Sequence, residues 1–328
     1  MKKLSCLLLV IGVLLAATAA APDYQSLLNQ VYIKYNFDHS GKNADYIPAL
    51  AKYNPNLYGI ALVTVAGKVY TVGDSAAKFP LESIAKIFAL ALVLQQQGAD
   101  VVLHKLGANA TGAAFNSVMA IEQQPNRTGN PLVNAGALAT VSLIAAENAA
   151  AKWELLQNNL NNYADMPLLV NQEAYQSEMA TNQHNQAIAM LLQSYGHFYG
   201  NINETVALYA RECSVEASVV ELAKMGSVLA NHGKSPFTGK QLLNSDLVAP
   251  LLAEMATAGM YDASGSWLYL TGIPAKSGVS GAIIAIVPGK FAIAVYAPPL
   301  DVFGNSVRGE ETIEYIAKQT QSNIFGGN

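Results

Sequence analysis

The stretch FPLESIAKIFALALVL, residues 79–94, predicts the helix around which the rest of this 328-residue chain is organised. Pro80 precedes a long apolar run rich in Ala and Leu. Proline suits the first turn of a helix because its φ is fixed and its missing N–H is not needed there. Ser83 is therefore expected near the N-terminus of a buried helix. Lys86 lies three residues further on, so both side chains share one helical face.

The Ser-x-x-Lys spacing of these two residues is found in serine acyl-transfer enzymes. A serine hydroxyl is a poor nucleophile unless a neighbour removes its proton, and a lysine does so when burial lowers its pKa. An apolar helix supplies that burial. Its N-terminus also offers free backbone N–H groups to the negative charge that develops on a carbonyl oxygen under attack. The pattern indicates Ser83 as a nucleophile and Lys86 as its base.

The motif alone is weak evidence, because a chain of this composition contains it about once by chance. Residues 75–78, SAAK, are a second copy, but nothing there buries the lysine. The alternative for the first copy is a structural one. Ser83 then caps the helix, and Lys86 extends its aliphatic stem over the core.

The N-terminus has the three parts of a secretory signal peptide. Two lysines precede an apolar run from Leu4 to Leu15, and small residues follow it up to Pro22. The run is short for a membrane span. We expect residues 1–21 to be removed by cleavage, and hence a periplasmic or secreted protein that has no membrane contact once cleaved. An uncleaved N-terminal anchor is the alternative.

Composition excludes several classes of protein. A formal net charge of −4 without a basic block argues against binding to nucleic acid or to an anionic membrane surface. Cys213 is the only cysteine after the signal segment, so an intrachain disulfide is excluded and the thiol is expected to pack as a small hydrophobe. The 52% of hydrophobic residues suffices for a large core.

Strand patterns lie near both ends of the chain. Residues 57–65 and 69–73 flank one turn, and residues 281–287 and 291–296 flank another. A lone hairpin is marginal in water, so we expect the two hairpins to form one antiparallel sheet. Helical patterns dominate elsewhere, most clearly over 24–35, 137–156, 182–193, 205–209 and 215–231.

The predicted fold class is therefore α+β. An antiparallel sheet is built from both ends of the chain with helices packed on it, and an all-helical subdomain is inserted between them. We expect one catalytic domain over residues 22–328. Its sheet portion covers about 22–80 and 260–328, and its helical portion about 81–259.

Polar residues in the helical part add candidate binding groups. Asn134 stands where a proline and a glycine break regular structure, and Glu178 and Asn185 share a helical face if one helix carries both. A carboxylate and amides suit recognition of an ammonium and a carboxylate on one small molecule. The alternatives are a turn former, a helix cap and solvated surface, respectively.

Two further places lie close to the second hairpin. Tyr261 stands at a corner bounded by a glycine, and glycines near Val279 let the backbone approach a ligand, so that the Val279 N–H is a second candidate oxyanion donor beside that of Ser83. Residues 276–278, KSG, are similar to the Lys-Thr-Gly element of β-lactamases and penicillin-binding proteins. A turn lysine at a hairpin entry is the alternative.

Ordered matches to one family run through nearly the whole mature chain, and as a set they are far more specific than any one motif. The sequence resembles the serine-dependent glutaminases, relatives of β-lactamases. The matching segments are ADYIP (44–48), SIAK (83–86), FNS (115–117), NPLVNAGA (130–137), SE (177–178) with Asn185, Tyr209 with CS (213–214), LANHG (229–233), GMYD (259–262), PAKSGVSG (274–281), PLD (299–301) and GNS (304–306).

The resemblance implies hydrolysis of L-glutamine to L-glutamate and ammonia without a metal or an organic cofactor. It implies that Ser83 attacks the side-chain amide with Lys86 as its base, and that Tyr261 assists proton transfer. The backbone N–H groups of Ser83 and Val279 would form the oxyanion hole. Glu178 would bind the substrate's α-ammonium.

The resemblance assigns the remaining polar groups of the substrate to neutral side chains, namely Tyr46, Asn134, Asn185, Tyr209 and Tyr261. It also implies a homodimer or homotetramer. Members of the family are usually intracellular, so the predicted export is a departure from them.

Two other functions stay open at this point. Ser-x-x-Lys, Lys-Ser-Gly and export also suit an exported β-lactamase or penicillin-binding-type acyltransferase, although the chain lacks Ser-Asp-Asn. An inactive amino-acid-binding protein is the second alternative, but binding alone requires neither Ser83 nor Lys86.

Overall fold

The structure is a computed structural model and describes residues 22–326, so the predicted signal peptide lies outside the described residues. Within this range the strands are β1 (Gly59–Thr64), β2 (Val69–Gly73), β3 (Phe79–Pro80), β4 (Glu216–Ala217), β5 (Ala275–Gly278), β6 (Ala282–Val287) and β7 (Phe291–Tyr296). The helices are α1 (Tyr24–Tyr35), α2 (Ala85–Gln97), α3 (Ala99–Lys105), α4 (Val118–Gln123), α5 (Asn134–Leu143), α6 (Ala149–Ala164), α7 (Gln172–Ala180), α8 (Gln183–Ser194), α9 (Ile202–Cys213), α10 (Val219–Ala230), α11 (Ser245–Ala258), α12 (Ser264–Thr271) and α13 (Val307–Thr320).

Both ends of the chain contribute to one antiparallel sheet with the strand order β2-β1-β7-β6-β5. The join between the two halves is the pairing of β1 with β7, in which Gly59 lies opposite Tyr296 and Thr64 opposite Phe291. The α+β fold predicted from the two hairpins is confirmed. β5, which carries the Lys-Ser-Gly segment, is an edge strand of this sheet.

Helices cover both faces of the sheet, so alternate residues of each strand enter two different apolar layers. Along β7, Phe291, Ile293 and Val295 pack with α1 and α13. Ala292 and Ala294 face α10 and join the larger core that contains α2, α5, α6 and α9. The small side chains on that second face leave room for α10 to lie close to the strands.

α2 is the central helix of the helical portion and is buried along most of its length. Its residues are apolar on all sides, which is typical of a helix enclosed by other helices. Within the described residues, no single helix has both the length and the apolar character needed to cross a membrane.

The start of this helix differs from the prediction. Pro80 is not in the first turn of α2. It lies in β3, opposite Glu216 of β4. The backbone then passes through a left-handed residue, Glu82 (φ 50°), and a 3₁₀ turn over Glu82–Ile84. Ser83 therefore lies in that turn, and Lys86 lies in the first turn of α2.

Two of the longer predicted helices are not continuous in the structure. The pattern over 137–156 divides into α5 and α6, because the Asn148 side chain accepts a hydrogen bond from the Ala151 N–H (3.0 Å) and starts a new helix. The pattern over 215–231 includes β4 before α10 begins. There Ser218 and Glu221 form a capping box.

The close contact of α10 with the sheet gives a test of the packing. At Gly226 a Cβ atom would lie 2.6 Å from Ile284 Cδ1 and 2.8 Å from Ala292 Cβ. We expect Gly226→Ala to lower the free energy of unfolding by about 1–3 kcal/mol, because overpacking forces side chains or backbone to move.

The matched control for this substitution is Gly265→Ala in α12, where an added Cβ meets nothing within 4 Å. Alanine is the better helix former by about 1 kcal/mol, so this variant should be equal to the parent or more stable. Urea unfolding measures both variants. Equal stability of the Gly226 variant and the parent would contradict the described packing.

Candidate active site

Ser83 and Lys86 form a buried hydrogen-bonded pair. The Lys86 Nζ atom donates to Ser83 Oγ (2.9 Å) and to Asn134 Oδ1 (2.7 Å), and the lysine is only 1% exposed. Burial lowers the pKa of Lys86 to about 8, although the acidic groups nearby act in the opposite direction. Both groups of the predicted Ser-x-x-Lys pair are therefore in contact, and the lysine loses its proton far more readily than an exposed one.

Asn134 holds this pair from the N-terminus of α5. Its Oδ1 atom accepts from the Tyr209 hydroxyl (3.2 Å) as well as from Lys86, and its Nδ2 atom donates to Asn185 Oδ1 (3.0 Å). Because two donors meet Oδ1, the orientation of the amide is fixed. The sequence prediction placed these residues around the substrate, and the structure brings them into one hydrogen-bond network.

Tyr261 is a further group that interacts with Ser83. Its backbone is left-handed (φ 56°), and its hydroxyl donates to the Ser277 carbonyl oxygen (3.0 Å). Burial raises the pKa of Tyr261 well above its usual value, although its hydrogen bond with Ser83 acts in the other direction. The Phe115 ring packs on the tyrosine at 4.8 Å between centroids.

Lys276 lies behind this tyrosine and is fully buried. Its Nζ atom is 4.2 Å from the centroid of the Tyr261 ring and donates to the carbonyl oxygens of Gly259 (3.1 Å) and Ser277 (2.7 Å). The alternative of a turn lysine is wrong, because Lys276 lies within strand β5. Lys276 instead supports the corner at which Tyr261 stands.

The edge strand β5 brings Val279 close to Ser83. At Gly278 a Cβ atom would lie 2.7 Å from the Leu81 carbonyl oxygen, so the strand end lies directly against the turn that carries the serine. Only glycine permits this approach. Val279 follows at once and lines the same pocket as Ser83.

The pocket at this junction is half-open and has a volume of about 240 Å³. Lys86 and Tyr261 are not among the residues that line it, but both interact with Ser83, which does line it. The other predicted site residues all line it, namely Tyr46, Ser83, Asn134, Glu178, Asn185, Tyr209 and Val279. The pocket also contains residues to which the sequence analysis gave no role in the site, among them Glu82, Phe115, Asn116, Thr181 and His184.

Glu178 and Asn185 reach the pocket in a way the sequence did not predict. A single helix does not carry both residues, because α7 ends at Ala180 and α8 begins at Gln183. The seven-residue spacing therefore does not place the two side chains on one helical face. The two helices bring the carboxylate and the amide to the same pocket separately.

Glu82 is the most informative of the missed residues. It is 3% exposed, and burial together with Glu178 raises its pKa well above the usual range. Burial also raises the pKa of Glu178, while Glu82 and Lys86 act in the opposite direction. The available signal was an acidic residue directly before the candidate nucleophile in an apolar run.

Two alternative sites are conceivable: the second Ser-x-x-Lys copy and a metal site. In the second Ser-x-x-Lys copy, Lys78 forms an ion pair with Glu221 and does not reach the pocket. Among residues 22–326, no group of three or more His, Cys, Asp or Glu side chains is arranged to hold a metal ion. The described pocket offers to a ligand a serine that is hydrogen-bonded to a lysine, two carboxyl groups and several neutral donors.

The fold and the pocket thus define an α+β protein with a buried serine–lysine pair, and comparison with known proteins agrees. The family model described as "Glutaminase" matches residues 41–325. A curated glutaminase of Colwellia psychrerythraea is 51% identical over 311 residues, which cover 95% of this chain and all of the relative.

Solved structures give the same result. One described as "Probable glutaminase ybaS" superposes with a TM-score of 0.90 at 44% identity, covering 92% of this chain and 98% of that one. The probable glutaminase from Bacillus subtilis complexed with 6-diazo-5-oxo-L-norleucine has a TM-score of 0.84 at 29% identity, covering 94% and 99%.

The chain belongs to the glutaminase family. It is a hydrolase that acts on an amide and converts L-glutamine to L-glutamate.

The contact between Asn134 and Lys86 gives a test of the site's electrostatics. Asn134→Asp would place a carboxylate where Oδ1 now lies 2.7 Å from Nζ. An opposite charge favours the ammonium, so we expect the pKa of Lys86 to rise by about 1–3 units. The rising limb of kcat/KM for glutamine should move to higher pH by the same amount.

Asn185→Asp is the control, because it adds the same charge one hydrogen bond farther from Lys86. Its rising limb should move less. The described geometry would be contradicted if the two variants shifted the limb equally, or if Asn134→Asp left it where it is.

Proposed function

We propose that this glutaminase works through a γ-glutamyl ester on Ser83. The Ser83 oxygen attacks the side-chain amide carbon of glutamine, and Lys86 takes the hydroxyl proton. The observation that carries the proposal is the 2.9 Å contact between a buried serine and a lysine whose pKa burial has lowered.

The carbonyl oxygen of the substrate becomes negatively charged during this attack. We place it between the backbone N–H groups of Ser83 and Val279, which the close approach of Gly278 to Leu81 brings to the same side of the pocket. The Lys86 proton then passes to the amide nitrogen through the Tyr261 hydroxyl. Ammonia leaves, and the ester remains on Ser83.

Water completes the reaction. It loses a proton to the Lys86 and Tyr261 pair and attacks the ester carbon, and the proton returns to the Ser83 oxygen as glutamate is released. The neutral form of Lys86 is needed at both steps, so the burial of this amine serves acylation and deacylation alike.

Glutamine carries an α-ammonium and an α-carboxylate, and the pocket has groups for both. Glu178 is the carboxylate for the ammonium, and neutral donors, namely Tyr46, Asn134, Asn185 and Tyr209, serve the remaining polar groups. The Bacillus subtilis relative is complexed with 6-diazo-5-oxo-L-norleucine, which supports an amino-acid ligand for the family but not the role of any one residue.

We further propose that residues 1–21 are a cleaved signal peptide and that the mature enzyme is periplasmic or secreted. The support is the sequence pattern of a charged, an apolar and a small-residue segment. The homodimer or homotetramer implied by the family resemblance stays a prediction.

Replacement of the nucleophile tests the chemistry. We expect Ser83→Ala to reduce ammonia release from L-glutamine by at least about a thousandfold, because both steps require the ester. Ser75→Ala, in the second Ser-x-x-Lys copy, is the matched control and should retain parental activity. Ammonia release by the Ser83 variant at the parental rate, or its loss in the Ser75 variant alone, would show that the wrong serine was chosen.

Cell fractionation tests the export proposal. The mature protein should be found outside the cytosol, with an N-terminus near residue 21 or 22. A variant with Leu8→Arg and Leu14→Arg interrupts the apolar run and should stay in the cytosol at full length. Recovery of the unaltered protein in the cytosol with residues 1–21 intact contradicts the proposal.

A further inference from the structure

Glu82 has a buried carboxyl oxygen that its surroundings do not satisfy. Its Oε1 atom lies out of contact with solvent, and within residues 22–326 no N–H or O–H group donates to it. The residue also has a left-handed backbone (φ 50°), which is unfavourable for a side chain of this kind and is typical of functional sites. The mechanism above gives Glu82 no role.

The group that faces Glu82 is another carboxyl. Glu178 reaches the pocket from α7, both side chains line it, and the Glu178 carboxyl beside Glu82 adds to burial in raising the pKa of Glu82. Ionised carboxylates only accept hydrogen bonds, so two of them in contact repel each other, and neither can satisfy the other. A single proton between them removes the repulsion and supplies the missing donor.

We propose that Glu82 and Glu178 share one proton and act as a single binding group of charge −1 for the α-ammonium of the substrate. This inference rests on the proposed glutamine site and adds a determinant of substrate affinity to it. Glu82 holds the proton because it is the more deeply buried of the two, and Glu178 presents the negative charge.

The other titratable groups around Glu82 come from four parts of the chain. They are Tyr46 and Tyr53 before β1, Lys86 in α2, Cys213 in α9 and Tyr261 before α12. Burial raises the pKa of Tyr53 to about 12, and it raises the pKa values of the other two tyrosines and of the thiol. These four groups are neutral at pH 7. Tyr209 in α9 faces Glu178, and burial raises its pKa well above the usual value, so it is neutral as well; His184 lines the same pocket. Lys86 is the amine that faces the carboxyl pair.

The shared proton affects both binding and chemistry. With one negative charge the pair matches one ammonium. With two, it would repel the substrate's α-carboxylate and would also hold Lys86 as an ammonium, since negative charge nearby raises the pKa of an amine. The proton is lost as pH rises through the raised pKa of the pair, so KM for glutamine should increase on the alkaline side.

Two isosteric substitutions separate the roles of the carboxyl groups. Glu82→Gln keeps a donor and leaves Glu178 charged, so we expect kcat/KM to fall by less than about tenfold and the alkaline increase in KM to vanish. Glu178→Gln leaves a buried, neutral Glu82 and removes the charge, so kcat/KM should fall by at least about 30-fold. Equal losses in the two variants, or an unchanged KM profile in Glu82→Gln, would overturn the proposal.

An infrared measurement on the substrate-free enzyme tests the proton itself. At neutral pH the difference spectrum of parent minus Glu82→Gln should contain the C=O band of one protonated carboxylic acid, and the parent minus Glu178→Gln spectrum should perturb the same band. Glu254→Gln is the control, because burial raises the pKa of Glu254 to about 8 and Glu254 does not line this pocket. The C=O band that is lost in Glu254→Gln should differ from the band that is lost in Glu82→Gln.

The two proposals fail in different ways. If the parent releases no ammonia from glutamine, the proposed function is wrong, while the infrared band still decides whether the proton is shared. If glutamine is hydrolysed and the Glu82 difference spectrum shows only ionised carboxylate bands, the shared proton is wrong and the glutaminase activity stands.

Discussion

The structure depends on the burial of one amine. Lys86 lies in the first turn of an apolar helix that other helices enclose, and its Nζ atom meets two polar atoms there, Ser83 Oγ and Asn134 Oδ1. An isolated charge in such a place is expensive, so burial favours the neutral amine. The burial that stabilises α2 therefore also makes Lys86 a base, so the hydrophobic core and the active site depend on the same packing.

The rest of the fold brings partners to this amine from distant parts of the chain. The antiparallel sheet joins the two ends through β1 and β7, and its edge strand delivers Val279 and supports Tyr261. Three separate helices, α5, α7 and α9, supply Asn134, Glu178 and Tyr209. The pocket therefore lies where the sheet and the helical portion meet.

Many of the helices and strands were predictable because short-range sequence patterns determine them. The strands over 69–73 and 291–296 and the helix over 24–35 agree with the structure residue for residue, since clear turn and cap signals bound them. The site residues were found through ordered family motifs. Their positions around the pocket agree with the roles implied, although the roles themselves stay predictions.

The rest depended on contacts that a single sequence does not display. The break between α5 and α6 depends on one asparagine side chain that caps a helix in an otherwise helical run. The division of Glu178 and Asn185 between two helices is hidden, because seven residues suits one helix equally well. Glu82 was missed because its meaning comes from Glu178, which is 96 residues away along the chain and adjacent in space.

The most direct test of the central claim is the pKa of Lys86 in the substrate-free enzyme. Titration of ¹⁵N-labelled lysine side chains by NMR measures it, and the spectrum of Lys86→Arg assigns the signal. The account predicts a pKa of about 8. A value near the ordinary lysine pKa of about 10.4 would contradict it, because the amine would then remain charged and could not take the proton of Ser83.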